Sequence, residues 1–148
     1  MENIDNILKK SKFTYEMIRN EKPILTAKEG ADYYNIGIGQ MAPALILYTA
    51  VGYYVLVISG DRGHVDFKLI KHMLKCKNVR MATREEVKSI TGYTVGNVPM
   101  LGIGLPYIID KRLLAYDFVY GGTGDESITL KIDPKALFEL NNVAGTID

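Results

Sequence analysis

Residues 35–60, NIGIGQMAPALILYTAVGYYVLVISG, carry no charged side chain, and this run constrains the fold more than any other feature of the chain. An apolar helix of about 20 residues would span a bilayer. The internal order of the run opposes that reading. A spanning helix would set Tyr48, Gly52, Tyr53 and Tyr54 near the bilayer centre, whereas tyrosine belongs at the interfaces and Lys or Arg should flank the ends. Ala44–Tyr48 and Tyr53–Ile58 are instead β-branched or aromatic runs of strand length around Thr49-Ala50-Val51-Gly52. They predict a hairpin with both strands largely buried and no membrane span.

Local signals divide the rest of the chain. Met1–Lys12 lacks the apolar core of a signal peptide and reads as a short amphipathic helix through Ile4, Ile7 and Leu8, with Met1 as the mature start. Tyr15–Arg19 reads as a strand. Thr26-Ala27-Lys28-Glu29 is a capping box opening a helix that ends near Gly37. After the hairpin, Gly60-Asp61-Arg62-Gly63 is a turn, and Asp66 caps a helix over Phe67–Lys75 with Phe67, Ile70, Met73 and Leu74 on its apolar face. Val79–Ala82 is a short strand, and Thr83-Arg84-Glu85-Glu86 opens a helix stopped by Gly92.

Residues 92–106 hold four glycines and two prolines among apolar side chains, which predicts a long loop that packs. Such loops are usually functional. Tyr107–Ile109 and Leu113–Tyr120 read as strands, and Ile128, Leu130 and Ile132 alternate with polar residues as in a half-buried strand. Asp133-Pro134 starts a last helix through Leu137, Phe138 and Leu140. The order predicts one α+β domain over residues 1–148, with a mixed, mostly antiparallel, barrel-like sheet flanked by helices.

Charge and chemistry narrow the function. Eighteen Lys and Arg face seventeen Asp and Glu, so the overall basic bias of a duplex-DNA binder is absent and DNA is not an expected partner. The single Cys76 excludes an internal disulfide and agrees with a reducing cytoplasm. No phosphate-loop or zinc-protease motif occurs, so neither metal nor cofactor is expected. Gly37-Ile38-Gly39 imitates a dinucleotide fingerprint in the wrong context, after a helix and before a strand. His72 and Cys76 are four apart, the spacing of a His-activated thiol, although a small apolar residue at a helix end is the plainer reading. Residues 64–80 hold five basic residues against Asp66, and Lys68, Lys71 and Lys75 recur at helical spacing on the side opposite the apolar face. They suit the phosphates of a single strand or tRNA-like end, or form an ordinary solvated face.

In their order these segments resemble the YbaK-like aminoacyl-tRNA editing domains, related to the insertion domain of bacterial prolyl-tRNA synthetase. The resemblance runs nearly end to end. It rests on Tyr15-Glu16-Met17-Ile18 before Thr26–Ala31, on Val57-Ile58-Ser59-Gly60-Asp61-Arg62 before Asp66-Phe67-Lys68, and on Thr83–Val87. Thr91–Gly102 looks like the family's substrate loop, Asp110 matches the acid at its strand turn, and Gly121-Gly122-Thr123-Gly124 looks like its second glycine loop.

The resemblance implies hydrolysis, in trans, of the ester joining a wrong amino acid to a tRNA 3′ adenosine, with an aminoacyl-tRNA synthetase as a further partner. Gly96, Pro99, Gly102, Gly121 and Gly122 would form the catalytic loops, since glycine lets backbone N–H groups approach a substrate carbonyl. Gln40, Pro43, Met100, Asp110 and Gly124 would line the substrate. Lys68, Lys71 and Lys75 would bind tRNA. An aminoacyl ester is already activated, so a positioned water could suffice. The family usually carries a lysine at the place of Pro43 and often a proline at the place of Met100. A non-catalytic tRNA- or synthetase-associated binding module with the same fold is the alternative.

Overall fold

The computed structural model describes residues 4–148. In chain order its elements are α1 (Ile4–Lys10), β1 (Tyr15–Arg19), α2 (Ala27–Tyr34), β2 (Ala44–Thr49), β3 (Gly52–Val57), α3 (Phe67–Leu74), β4 (Val79–Met81), α4 (Arg84–Thr91), β5 (Tyr107–Asp110), β6 (Val119–Gly122), β7 (Ile128–Ile132), α5 (Lys135–Leu140) and β8 (Val143–Ile147). Short 3-10 turns cover Ile38–Gln40 and Lys111–Ala115. The expected start at Met1 falls outside the described residues.

The uncharged run forms the β2–β3 hairpin, with Tyr48 opposite Tyr53 and Thr49 opposite Gly52. Gly52 turns with φ +123, and the Thr49 hydroxyl accepts the Val51 N–H at 3.1 Å and donates to the Gly52 carbonyl at 2.7 Å. No helix among the described residues is long and apolar enough to cross a membrane. The hairpin is buried because it lies inside a five-stranded sheet, order β4-β2-β3-β5-β8, covered on both faces. Ile46, Val55 and Val57 face a core that includes Val98, Met100 and Leu137. Leu47 and Leu56 face Ile70 of α3.

A second sheet has the order β1-β7-β6, all antiparallel. The two sheets meet at the isolated bridge between Met41 and Tyr120, where the Ala42 N–H donates to the Tyr120 carbonyl at 2.8 Å. They remain two open sheets, so the barrel-like expectation is corrected. Pairing is mostly antiparallel, but β5 runs parallel to both β3 and β8.

Local differences have local causes. Leu113–Tyr120 is not one strand: the Asp110 carboxylate accepts the Arg112 N–H at 2.9 Å and starts the 3-10 turn, which buries Leu113 and leaves strand pairing to Val119–Gly122. α2 stops at Tyr34 because Asn35 takes the left-handed conformation. Thr83 and Glu86 make the full reciprocal cap, whereas Thr26 accepts the Glu29 N–H and Glu29 returns only to the Thr26 hydroxyl. The sequence reading missed β8, which completes the sheet edge against β5.

Candidate functional site

The two glycine loops converge where α2 begins. Gly96 has φ +92, and a Cβ there would lie 2.8 Å from the Leu25 carbonyl oxygen. A Cβ on Gly122 would lie 2.5 Å from the Val98 carbonyl oxygen, and one on Gly121 would collide with the Met100 sulfur. Backbone therefore packs on backbone at distances that a side chain would prevent. Between them is a cavity of about 50 Å³, also lined by Thr26, Ala27, Pro43, Asn97, Asp125 and Thr129.

The polar groups of this cavity are unevenly committed. The N–H groups of Gly96 and Ala27 donate to no acceptor among the described residues, and Ala27 opens α2, whose positive dipole end lies there. Thr129 is buried and accepts from Asn20 Nδ2 at 2.8 Å, while the Tyr34 hydroxyl donates to Asn20 Oδ1. Burial pushes the Tyr34 hydroxyl pKa up. The Ser127 hydroxyl and N–H, at 2.7 and 2.9 Å, hold the Asp125 carboxyl below the usual range, so it stays ionised at neutral pH. The lining thus combines residues whose N–H groups are uncommitted with a carboxylate that stays negative.

A second cavity of about 300 Å³ adjoins the first and shares Leu25, Pro43, Gly96 and Gly122 with it. Its walls are mainly apolar, including Leu45, Ile46, Val87 and Val98, with Arg84 at α4. Pro43 therefore stands between the two spaces. Its carbonyl accepts the Ile58 N–H at 3.1 Å, and a proline contributes no donor there.

Gly96, Gly121, Gly122 and Pro43 are brought together; the other sequence-derived residues are placed elsewhere. Pro99 and Met100 are buried behind the cavities, with Met100 against Gly121. Gly102 lines a separate cavity beside Ile7 and donates its N–H to Asn141 Oδ1 at 3.1 Å. Gln40 donates to the Phe118 carbonyl at 2.9 Å and lines neither cavity. Gly124 packs on the Tyr93 ring. Asp110 is fully buried and accepts from Ser59, Arg112 and Arg62. Lys68, Lys71 and Lys75 lie on or at the end of α3, across the sheet, where Lys71 borders a groove with Tyr48, Asn78 and Arg80. Cys76 lies beyond the helix because Lys75 turns left-handed, so it does not continue the helical face of His72.

Leu25, Thr26, Asn97, Asp125, Thr129 and Arg84 were missed as lining residues. The Thr26 capping box was a signal of a helix start with free N–H groups. Thr129 gave a misleading one: its alternation suggested a solvent face, but Thr129 is buried and its hydroxyl is taken by Asn20.

Residues 21–140 match the aminoacyl-tRNA editing domain model. The chain belongs to that family. This editing domain is 34% identical over 111 residues to a proline–tRNA ligase of Solidesulfovibrio magneticus, a match covering 73% of the chain and 19% of the ligase. It is 27% identical over 127 residues to the proline–tRNA ligase of Thermotoga maritima, covering 80% of the chain and 22% of the ligase. The chain spans about a fifth of the length of these ligases. Its fold matches the crystal structure of a hypothetical protein with TM-score 0.88 and 29% identity, over 98% of this chain and 97% of that one. A structure described as that of a proposed trans-editing enzyme for prolyl tRNA synthetase matches with TM-score 0.80 and 28% identity, over 90% and 85% of the two chains.

Proposed function

We propose that this editing domain hydrolyses, in trans, the ester of a mischarged tRNA. The observation that carries this reading is the convergence of Gly96 and Gly121-Gly122 on the start of α2 around one small cavity. With the ester carbonyl at the free N–H groups of Gly96 and Ala27, the negative charge of a tetrahedral intermediate meets donors that are already oriented. Asp125, ionised at neutral pH, faces the α-ammonium of the amino acid. Water adds to the carbonyl carbon, the bond to the ribose oxygen breaks, and that oxygen takes a proton, releasing amino acid and tRNA. No side-chain nucleophile is required, because the ester is already activated and positioning supplies the rest. A space of about 50 Å³ favours small side chains, since a larger one is refused for want of volume. On this reading the tRNA 3′ end is the substrate, a synthetase is a further partner, and the reaction belongs to the cytoplasm.

Deacylation of Ala-, Cys- and Ser-charged tRNA by the purified protein tests the proposal, and release of none of them would sink it. A binding module without turnover is the second reading, favoured by Pro43 at the cavity wall and by the basic face of α3. On that reading tRNA binds with strong salt dependence and no amino acid is released.

A further inference from the structure

We infer that Arg84 binds the phosphate of the substrate's terminal nucleotide, at the rim of the apolar cavity next to the aminoacyl site. The inference rests on the deacylase reading for the identity of the ligand, and on four observations for the residue.

Arg84 is the first residue of α4, where a cation meets the positive end of the helix dipole. That position does nothing for the helix, whose start is already satisfied by Thr83 and Glu86. Arg84 is also unpaired: it is exposed, and no hydrogen bond or ion pair holds its guanidinium among the described residues. The nearby Glu86 is committed to Arg80, at 2.7 and 3.0 Å, and to the Tyr53 hydroxyl at 3.0 Å. Finally, Arg84 is the one basic side chain among the described residues lining either cavity.

The order of the cavities says what the cation would meet. An aminoacyl group in the smaller space passes its ester across the wall of Pro43, Gly96 and Gly122, so the attached nucleoside continues into the larger one. The apolar walls there suit the faces of a base, and the 5′-phosphate emerges at the rim. A guanidinium matches that group, presenting paired donors to two phosphate oxygens.

Steady-state kinetics of the parent, Arg84→Ala and Arg84→Lys test this on two substrates: mischarged tRNA and the corresponding aminoacyl-adenosine, which has no 5′-phosphate. Lys135→Glu, which removes a cation from the first turn of α5, controls for net charge. Losing a charge-assisted contact should raise KM for the tRNA about tenfold or more in Arg84→Ala, with kcat within about twofold. Arg84→Lys should recover part of the loss. KM for aminoacyl-adenosine should stay at the parent value. An equal loss on both substrates, or no loss on tRNA, overturns the inference. Should the parent release no amino acid, the deacylase reading fails, and binding of a short RNA ending in CCA decides the role of Arg84. Weaker binding by Arg84→Ala, with Lys135→Glu unchanged, supports it. Equal binding by both variants, or no binding by the parent, overturns it.

Discussion

Arg62 Nη1 donates to Asp110 Oδ1 at 2.9 Å, with the two side chains 9% and 0% exposed. The same carboxylate accepts the Ser59 N–H at 3.0 Å and the Arg112 N–H at 2.9 Å, and Arg62 Nη2 reaches the Asp148 carbonyl at 2.5 Å. The pair therefore fastens the segment after β3 to the end of β5 and to the residue after β8. Removing Arg62 leaves the buried carboxylate with two backbone donors and no counter-charge. Arg62→Met is expected to cost about 3–5 kcal/mol in urea unfolding. Arg62→Met combined with Asp110→Leu should cost less than the single change, and a single change costing under about 1 kcal/mol would mean the pair behaves as a surface one.

Gly96→Ala puts a Cβ at φ +92 and 2.8 Å from the Leu25 carbonyl oxygen. The backbone must shift, costing about 1–2 kcal/mol in thermal or urea unfolding. Moving the free N–H by a fraction of an ångström is expected to lower kcat/KM for deacylation by tenfold or more, approaching about a hundredfold for a displacement of 1 Å. Unchanged kcat/KM in a folded variant would remove Gly96 from the carbonyl-binding role.

Pro43→Lys adds a cation at the wall shared by the two cavities and leaves the carbonyl that accepts the Ile58 N–H. It should lower KM for mischarged tRNA and steepen the salt dependence of binding by about one unit. A silent parent with an active Pro43→Lys would show a pocket that lacks only its anchor, whereas silence in both would favour the binding module.

Arg80, bonded to both Glu86 oxygens, and then the Thr83 N–H hold the Glu86 carboxyl well below its ordinary range. A depressed folded-state pKa stabilises the fold above the unfolded value and loses that effect as pH falls through the folded one. Glu86→Gln should therefore melt below the parent at neutral pH, and the gap should narrow as pH drops below about 4. A gap independent of pH would assign the loss to capping geometry alone.

The triple change Lys68, Lys71 and Lys75→Glu alters a face across the sheet from the cavities. It should weaken tRNA binding and flatten its salt dependence while leaving aminoacyl-adenosine hydrolysis within about twofold. Parent-like tRNA affinity would return these lysines to an ordinary solvated face.

The elements legible in the sequence are those whose causes lie within a few residues. Thr83 and Glu86 cap α4 through bonds spanning three positions, Asp66 caps α3 through a bond to Lys68 two positions on, and Gly52 closes a hairpin between two runs that could be buried only as strands. β8 was missed because Val143–Ile147 carries glycine and threonine and no strong alternation; its strand state is conferred by β5 alongside it. Asp110 shows the same limit at a single residue. A carboxylate beside a turn looks available for substrate, and the approach of Ser59 and Arg62, 51 and 48 positions away, makes it an internal tie.

The sequence by itself determined the α+β class, the buried hairpin and the helix starts, because hydrophobic period, capping and turn chemistry act locally along the chain; the family was legible separately, in the likeness of its motifs to those of the editing domains. Tertiary structure alone decided that Gly96 meets Gly121-Gly122 while Gly102 faces another cavity, and that Arg84 borders the space beside Pro43. Those neighbours are separated by many residues, and their meeting depends on how two open sheets pack at Met41 and Tyr120, a contact that no local preference encodes.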